Sequence, residues 1–557
     1  MPLPKHLLSR FARVNLQSLR FLQVFGARTR RGACGSALLL ALLGPVAAQV
    51  APAPAPAQEA GPAAQPREAP RGARPGAGER PQGETRRLPP DAVTRHVVEL
   101  PGRTLRFTAT AGSLPLVDGQ GNVQAEIGYV SYTLDGAEPA SRPVTFAVNG
   151  GPGASSAYLH LGVLGPWRLP LDGTTISPSA PPTLVPNAET WLDFTDLVFI
   201  DPIGSGYSRA NGSDEDIRNR YYTVEGDIDT LSAVVSRWLR TRERLPSPKF
   251  YVGESYGGFR GPLLAEKLQG DIGVAFSGLV LVSPVLDFAW LSAPRHAPWL
   301  HMARLPSLAA ACLERKGTLA REALRDAEAY AAGEYLGDLL RGLQDPAVLE
   351  RMSGRVAELV CLDRELVRRV AGRVDVSTFQ REFARASGRV VSAYDTAITA
   401  QDPDPTAATP RFEDPGLTTL TAPLTSAIVD HLARSLNWRV PDQRYQLLNG
   451  QVNGAWRWSR GRSQPEALSN LRRTLALDGK LRTLVVHGFT DLVTPYFANQ
   501  ILLNQLTDFG PGKRVGLNVY PGGHMFYFRE DGRAAFRGDA MRLYREALEA
   551  RQNDKAP

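Results

Sequence analysis

Alternating hydrophobic and polar residues mark the beginning of the folded part of the chain. Leu105, Phe107 and Ala109 alternate with polar neighbours, which is the two-residue period of a half-buried strand. Comparable patterns follow over residues 124–134 and 144–148. We therefore expect the folded part to open with several antiparallel strands.

Apolar runs and helical patterns alternate along the rest of the chain. Apolar residues at helical spacing over residues 228–238 precede a short apolar run at 250–252. Further strand-like runs lie at 278–286, 484–486 and 515–520, and a helical pattern closes the chain. This alternation predicts an α/β fold, a mostly parallel sheet flanked by helices.

Residues 288–424 interrupt the alternation. The stretch is rich in Ala, Leu, Arg and Glu and carries several amphipathic helical patterns. We interpret it as a helical cap insertion, with residues 93–287 and 425–557 forming the core. Two cysteines lie in the insertion, Cys312 and Cys361; they can form a disulfide in an oxidising compartment or remain separate buried thiols.

The first 48 residues have the features of a signal peptide. They carry seven Lys or Arg and no acidic residue, and their apolar run over 37–43 is too short to span a membrane. We expect cleavage after Ala48 and export to the periplasm or the medium, with an uncleaved N-terminal anchor as the alternative. Without this leader the net charge falls from +8 to +1, so the charge does not indicate nucleic-acid binding.

A segment of biased composition, residues 49–92, follows the predicted cleavage site. Residues 51–90 contain 10 Ala, 10 Pro and 5 Gly and no aromatic residue. Such a composition buries too little apolar surface to offset the conformational entropy lost on folding. We predict a disordered linker, with binding to cell wall or peptide as the alternative.

The pentapeptide 253–257 reads Gly-Glu-Ser-Tyr-Gly and directly follows a strand-like run. Between a strand and a helix, the pattern G-x-S-x-G places its serine on a tight turn, with the hydroxyl pointing out of the sheet. We expect the helix over residues 262–268. For the pentapeptide taken alone, a glycine-rich turn without a catalytic role is the alternative.

A second glycine-rich loop, residues 149–156, follows the predicted strand 144–148. Glycines allow backbone amides to approach a substrate oxygen closely. An oxyanion hole needs two such donors: one from the residue after the nucleophile and one from an earlier loop. We predict that the amides of Tyr256 and Gly151 fill these two roles.

An acid and a histidine follow the last two strand-like runs. Asp491 lies in the turn after one run and His524 in the glycine-rich loop after the next. Because ligand-binding and catalytic groups gather at the carboxyl ends of parallel strands, both are expected beside Ser255. Among eight histidines His524 alone has this order and setting; His487 precedes the acid by only four residues, too few to reach it from a separate loop.

Together these motifs resemble the serine carboxypeptidase family. The likeness rests on the loop 149–156, the pentapeptide around Ser255, and the segments 191–208, 488–491 and 523–525. It is greater to bacterial members than to eukaryotic ones. The resemblance implies an α/β-hydrolase fold and removal of C-terminal amino acids from peptides.

The same resemblance implies a role for each site residue. The roles are nucleophile for Ser255, general base and acid for His524, orienting acid for Asp491, oxyanion donors for Gly151 and Tyr256, and binding of the substrate's terminal carboxylate for Asn149 and Glu254. A carboxyl group can donate to that carboxylate only when it is protonated, which requires a raised pKa.

The chain departs from the family pattern at two positions. Val163 stands where the family often has a second glutamate, so a carboxyl pair sharing a proton is not available. We therefore expect a weaker preference for acidic pH, with carboxylate binding resting more on Asn149 and backbone amides. Glu254 as a buried structural acid is the alternative. Ala154 replaces a family cysteine, so no disulfide is expected at that loop.

No spacing of His, Cys, Asp and Glu indicates a metal site, and no phosphate-binding or dinucleotide-binding motif is evident. We expect an enzyme without metal or cofactor that acts on peptides; the sequence does not indicate its oligomeric state. Two other functions fit the same motifs. One is an esterase or acyltransferase with the same catalytic residues, and the other is a catalytically inactive binding protein.

Overall fold

The computed structural model describes residues 88–171, 177–409, 411–458, 461, 463–509 and 512–552. The predicted signal peptide and nearly all of the predicted linker lie outside these residues. Leu88 is buried, and the first strand begins at Ala92, one residue before the core boundary predicted at residue 93. None of the helices described has the length and apolar character that crossing a membrane would require.

A ten-stranded sheet forms the centre of the fold, with strand order β1-β2-β3-β7-β4-β9-β10-β13-β14 and β8 paired with β3. β5 pairs with β6, and β11 with β12, in separate two-stranded ladders. The strands of the described residues are β1 Ala92–Leu100, β2 Arg103–Val117, β3 Val123–Leu134, β4 Val144–Val148, β5 Trp167–Arg168, β6 Val185–Pro186, β7 Asp196–Ile200, β8 Arg209–Ala210, β9 Lys249–Glu254, β10 Gly278–Val282, β11 Arg389–Val391, β12 Thr399–Gln401, β13 Arg482–Gly488 and β14 Val515–Tyr520.

The type of strand pairing changes once across this sheet, from antiparallel to parallel. β2 and β3, which carry the alternating patterns at 105–109 and 124–134, pair antiparallel as predicted, and β1 and β7 pair antiparallel with them. The expectation was wrong for residues 144–148, since β4 pairs parallel with both of its neighbours, β7 and β9. From β7 through β4, β9, β10 and β13 to β14, all neighbours are parallel. The predicted mostly parallel sheet is confirmed, and the chain has the α/β-hydrolase fold.

Helices connect and cover the parallel strands. Those of eight or more residues in the described part are α1 Asp214–Tyr221, α2 Val224–Thr241, α3 Tyr256–Lys267, α4 Pro298–Arg315, α5 Pro346–Val360, α6 Pro415–Asp430, α7 Leu468–Leu477, α8 Tyr496–Leu503 and α9 Glu530–Gln552. Shorter α-helical segments span Ala157–Leu159, Arg325–Tyr330, Leu336–Arg341, Arg364–Arg369, Val376–Glu382 and Gly450–Ala455.

Helix α2 illustrates how the local sequence sets these elements. Thr223 caps it, and its hydroxyl accepts a backbone hydrogen bond from the first turn. The apolar residues whose spacing predicted the helix, Ile228, Leu231, Val235 and Trp238, are all buried. The helical interpretation of this segment is therefore confirmed.

The inner parallel strands are buried on both faces, whereas β14 at the edge is mostly half-buried. In β10, Val280 and Val282 join one hydrophobic cluster, while Leu279 and Leu281 join another on the opposite face. This explains why the strand reads as a continuous apolar run rather than an alternating one. The strand is shorter than the predicted run 278–286, because Ser283 adopts a left-handed conformation (φ 44°) that turns the chain away from the sheet.

Most of the chain between β10 and β13 is helical and contains a third hydrophobic cluster of its own. This cluster includes Phe489 and Tyr496, which follow strand β13, so the inserted helices pack directly on the loop carrying the predicted acid. Cys312 of α4 and Cys361 at the end of α5 form a disulfide. The pairing that the sequence left open is thus present in the structure.

A cluster of two histidines and a tyrosine lies inside the core, away from the predicted site. The Tyr132 hydroxyl contacts Nε2 of His160 at 2.7 Å and Nε2 of His431 at 2.9 Å, and all three side chains are buried. Burial lowers the pKa of His431 to about 3, and burial together with His431 lowers the pKa of His160 well below its usual value. Both rings are therefore neutral in the folded protein at pH 7.

We expect this cluster to make the fold sensitive to mild acid. In the unfolded chain the histidines bind protons below about pH 6.5, whereas the folded rings do not, so stability is complete above that pH and is lost as the pH falls toward 3. For His431 the loss at pH 5 amounts to about 2 kcal/mol. Urea unfolding at pH 7 and pH 5 measures it, and His431→Gln should reduce the difference. An unchanged difference in this variant would contradict the assignment.

Candidate active site

Ser255 lies at the turn between β9 and α3. Its backbone has φ 60° and ψ −122°, an unusual conformation for a residue with a side chain. Helix α3 begins at the next residue, Tyr256, and not at residue 262 as predicted. The glycines over residues 257–261 lower helix propensity, but their burial against the sheet outweighs this preference.

The glycines on either side of Ser255 are required by close backbone approach. A Cβ added to Gly253 would lie 2.1 Å from the carbonyl oxygen of Gly257. One added to Gly257 would lie 2.3 Å from the carbonyl oxygen of Val148, the last residue of β4. The G-x-S-x-G pattern therefore allows the turn to close on itself and on the neighbouring strand.

Asp491 and His524 are joined by a hydrogen bond at the carboxyl edge of the sheet. They follow β13 and β14, and His524 Nδ1 lies 2.8 Å from Asp491 Oδ2. Asp491 Oδ1 accepts hydrogen bonds from the amides of Val493 and Thr494, each at 2.9 Å. The Thr494 hydroxyl donates to Oδ2 at 2.7 Å, so several donors hold the carboxylate in one orientation.

The surroundings of this pair keep the acid charged. Burial opposes the charge of Asp491, but the adjacent His524 ring with its hydrogen bond, together with the nearby His487 ring, holds the pKa of the carboxyl well below its usual range. Burial also opposes the charged form of His524, yet the adjacent Asp491 carboxylate holds the pKa of the imidazole above its usual value. Asp491 is therefore a carboxylate that favours a proton on His524.

A second histidine, His487, faces the same carboxylate. Its Nδ1 lies 3.9 Å from Asp491 Oδ2, and its ring is fully buried. Asn499 Nδ2 donates to the carbonyl of Pro284 and approaches His487 Nε2 at 2.9 Å, which places the proton of His487 on Nδ1, the nitrogen nearer the acid. The two residues do not approach each other from separate loops. His487 lies near the end of β13 and Asp491 in the turn directly after it, so the short stretch of chain between them brings the side chains together.

Ser255 and His524 line one cavity of about 210 Å³. Nδ1 of His524 is engaged by Asp491 and Thr494, while no hydrogen bond joins Ser255 Oγ to any described residue. The structure thus brings the predicted acid and base together and places the predicted nucleophile in the same cavity. In enzymes without substrate the contact between nucleophile and base is often open, and it tightens when substrate binds.

The two predicted oxyanion donors lie on neighbouring loops. Tyr256 is the first residue of α3, so its amide has no acceptor within the helix. The two loops touch, because a Cβ added to Gly150 would lie 2.5 Å from the Tyr256 nitrogen. Gly151 has φ 99°, and within the described residues neither its amide nor that of Tyr256 donates to another group.

The predicted carboxylate-binding residues, Asn149 and Glu254, line the same cavity. Asn149 Oδ1 accepts from the amide of Leu159 at 3.0 Å, which leaves its NH₂ group for other partners. Burial raises the pKa of Glu254 to about 7, although His524, Tyr527 and Asn149 each oppose that rise. The Tyr527 hydroxyl donates to Glu254 Oε2 at 2.5 Å, a contact that the sequence did not predict.

The inserted helical segment holds the loop that carries His524. The backbone amide of His524 donates to the carbonyl of Tyr394 at 2.5 Å. Arg529, five residues further on, pairs with Asp395 and Glu314, each at 2.5 Å. Residues of the insertion therefore fix the position of the imidazole as well as lining the cavity.

Comparison with known proteins agrees with these motifs. Residues 104–305, which include Asn149, Gly151, Glu254 and Ser255, match the family described as serine carboxypeptidase. Serine carboxypeptidase-like 33 of Arabidopsis thaliana is 31% identical over 159 residues, 27% of this chain and 31% of that protein. Serine carboxypeptidase-like 26 of the same plant is 28% identical over 201 residues, 34% of this chain and 41% of that protein.

A yeast protein shows a similar partial match. The pheromone-processing carboxypeptidase KEX1 of Yarrowia lipolytica is 33% identical over 150 residues, 26% of this chain and 22% of that protein. The chain thus matches well under two thirds of the length of each of these relatives. They come from a plant and a yeast, so the expected likeness to bacterial members stays a prediction. Over residues 104–305 the chain is thus similar to the serine carboxypeptidase family, and the partial matches to these relatives agree with that similarity.

Proposed function

We propose that this protein is a serine carboxypeptidase, which removes C-terminal amino acids from peptides through an acyl-enzyme. One observation carries the proposal: the 2.8 Å hydrogen bond between His524 and Asp491 lies at the cavity that also holds Ser255 on its strained turn. A buried acid, an imidazole and a serine in this order are the groups that acyl transfer requires.

Each group has a distinct task in the first half of the reaction. Asp491 engages Nδ1 of His524, so Nε2 is the nitrogen that takes the proton from Ser255 as its oxygen attacks the last peptide carbonyl. The tetrahedral intermediate then collapses, and Nε2–H gives its proton to the departing amino acid. Ser255 is left as an ester of the shortened peptide.

Water completes the cycle by the same route. His524 takes a proton from water, which attacks the ester, and the proton returns to Ser255 Oγ as the shortened peptide leaves. In both halves the amides of Gly151 and Tyr256 stabilise the oxyanion. Each donor of this kind typically contributes a factor of about 10²–10³ in turnover.

Recognition of a free C-terminus rests on Asn149 and Glu254 in this proposal. With a pKa of about 7, the Glu254 carboxyl is about half protonated at pH 7 and largely protonated below it, and the protonated form can donate a hydrogen bond to the substrate carboxylate. A strong acid preference is not required for this donation, consistent with the absence of a second carboxyl at Val163.

We also propose that the protein is exported. The disulfide between Cys312 and Cys361 supports this, since such bonds persist mainly in oxidising compartments. The features of residues 1–48 in the sequence support it independently.

Paired peptides with free and amidated C-termini test the proposed activity. We expect the free acids to be shortened by one residue at a rate about 10²-fold or more above that of the amides, because a site built for a polar group rejects analogues that lack it. Mass spectrometry of a peptide mixture over time measures both rates, and Ser255→Ala is the matched control. Equal rates for both series would exclude a carboxypeptidase and favour an esterase or another hydrolase.

A further inference from the structure

Tyr527 packs beside the turn that carries Val163, the position at which the family pattern often has a second glutamate. Val163 is fully buried and belongs to a helical turn that begins at His160. The ring of Tyr527 packs on this turn, because a Cβ added to Gly162 would lie 2.7 Å from Tyr527 Cε2. From there the Tyr527 hydroxyl reaches Glu254 Oε2 at 2.5 Å. The phenol of Tyr527, in the loop that carries His524, thus contacts Glu254. In this chain Glu254 has no second glutamate beside it, because Val163 takes that position of the family pattern.

We propose that Tyr527 is a positioning residue for substrate binding: it replaces the absent second carboxyl and orients Glu254 toward the terminal carboxylate of the peptide. This inference rests on the proposed function. Tyr527 is fully buried and its only hydrogen-bond partner through the hydroxyl, among the described residues, is Glu254. The hydroxyl therefore serves this one carboxyl group.

The direction of the hydrogen bond from Tyr527 determines which oxygen of Glu254 carries the proton. When Glu254 is protonated, one oxygen carries the proton and the other can only accept. Because the Tyr527 hydroxyl donates to Oε2, the proton of the acid is placed on Oε1. Asn149 lines the same cavity and its side chain is held by the amide of Leu159, so an NH₂ donor and an OH donor are available together for a bound carboxylate.

The charged and titratable neighbours of Glu254 set the expected pH dependence. His524, Tyr527 and Asn149 lower its pKa, while burial and Asp491 raise it; Tyr158 and Tyr394 lie near and are buried as neutral phenols. Recognition of a carboxylate is therefore present below the pKa of Glu254 and is lost as the pH rises through it. The hydrogen bond from Tyr527 favours the charged form of Glu254. Its removal should raise the pKa of Glu254, so carboxylate recognition should be lost at a higher pH.

Tyr527→Phe in the full chain tests the proposal. The substrates are a blocked dipeptide with a free C-terminus and its C-terminal methyl ester, which lacks the carboxylate. For the free acid we expect KM to rise about tenfold at pH 7, with kcat changing about twofold or less. The alkaline rise of KM should move to higher pH. The ratio of kcat/KM for free acid over ester should fall about tenfold.

A second variant keeps the test independent of folding. Val163→Glu added to Tyr527→Phe supplies a carboxyl from the turn on which the ring of residue 527 packs, and we expect it to restore binding of the free acid with an optimum shifted to lower pH. An unchanged KM and pH profile in Tyr527→Phe would overturn the proposal. So would an equal loss on acid and ester, which indicates a purely structural role. Failure of the proposed function is distinguishable, because the unmodified protein would then show no preference for the free acid over the ester.

Discussion

Asp491→Asn is expected to lower kcat about 10⁴-fold while changing KM by a factor of about three or less. The amides of Val493 and Thr494 donate to Oδ1 of this carboxylate, while the Thr494 hydroxyl and His524 meet Oδ2. An asparagine keeps both amide bonds only by placing its single oxygen at the Oδ1 position, which presents its NH₂ group to His524. Nδ1 must then accept, the proton moves to Nε2, and His524 can no longer take a proton from Ser255.

Steady-state kinetics on a blocked dipeptide measure this effect. Asp531→Asn is the matched control, since Asp531 is exposed in the first turn of α9 and takes no part in the hydrogen bonds of the Asp491 carboxylate. This control should retain the activity of the unmodified protein. A loss of tenfold or less in Asp491→Asn would contradict the role assigned to the acid.

Gly253→Ala is expected to destabilise the protein by about 3 kcal/mol or more and to abolish activity. The added methyl group would lie 2.1 Å from the Gly257 carbonyl oxygen and 2.6 Å from the Tyr251 ring. The first of these neighbours is backbone and cannot move without opening the turn that carries Ser255. Urea unfolding gives the change in free energy, and labelling of Ser255 with a fluorophosphonate reports on the turn itself.

Gly270→Ala is the control for this substitution. A Cβ at Gly270 would meet no atom within 4 Å, and the residue lies in the helical turn Leu268–Ile272 that follows α3. Its stability should change by about 1 kcal/mol or less, with full activity. If Gly253→Ala behaved in the same way, the turn would be more tolerant than its geometry indicates.

Much of the fold could be predicted from the sequence because its strands depend on local pattern. The alternation around Phe107 and the continuous apolar run of β10 each reflect how many faces of the sheet are buried. Helix α3 begins six residues before the start predicted at residue 262. Its first turns are rich in glycine, which is helical here only because of tertiary packing. Strand β10 ends at Val282 because Ser283 has a positive φ, a backbone conformation that the composition does not predict.

The candidate site likewise contains some residues that the sequence could locate and others that it could not. Ser255, Asp491 and His524 lie in motifs with recognisable strand and glycine context, so the sequence located them and the structure places all three at one edge of the sheet. Tyr527 and Thr494 carry no such context. Their contacts with Glu254 and Asp491 depend on side-chain direction, and for Tyr527 on a partner 273 residues away, which no local pattern encodes.

The ion pairs of Arg529 have a consequence for grafting between relatives. Asp395 and Glu314 belong to the inserted segment, while Arg529 belongs to the loop of the imidazole, and all three side chains are largely shielded from water. A chimera that exchanges residues 288–424 as a cassette would leave a guanidinium without its acids five positions from His524. An exchange of residues 288–424 that is meant to alter selectivity would therefore have to retain acids at positions 314 and 395, or replace Arg529 as well.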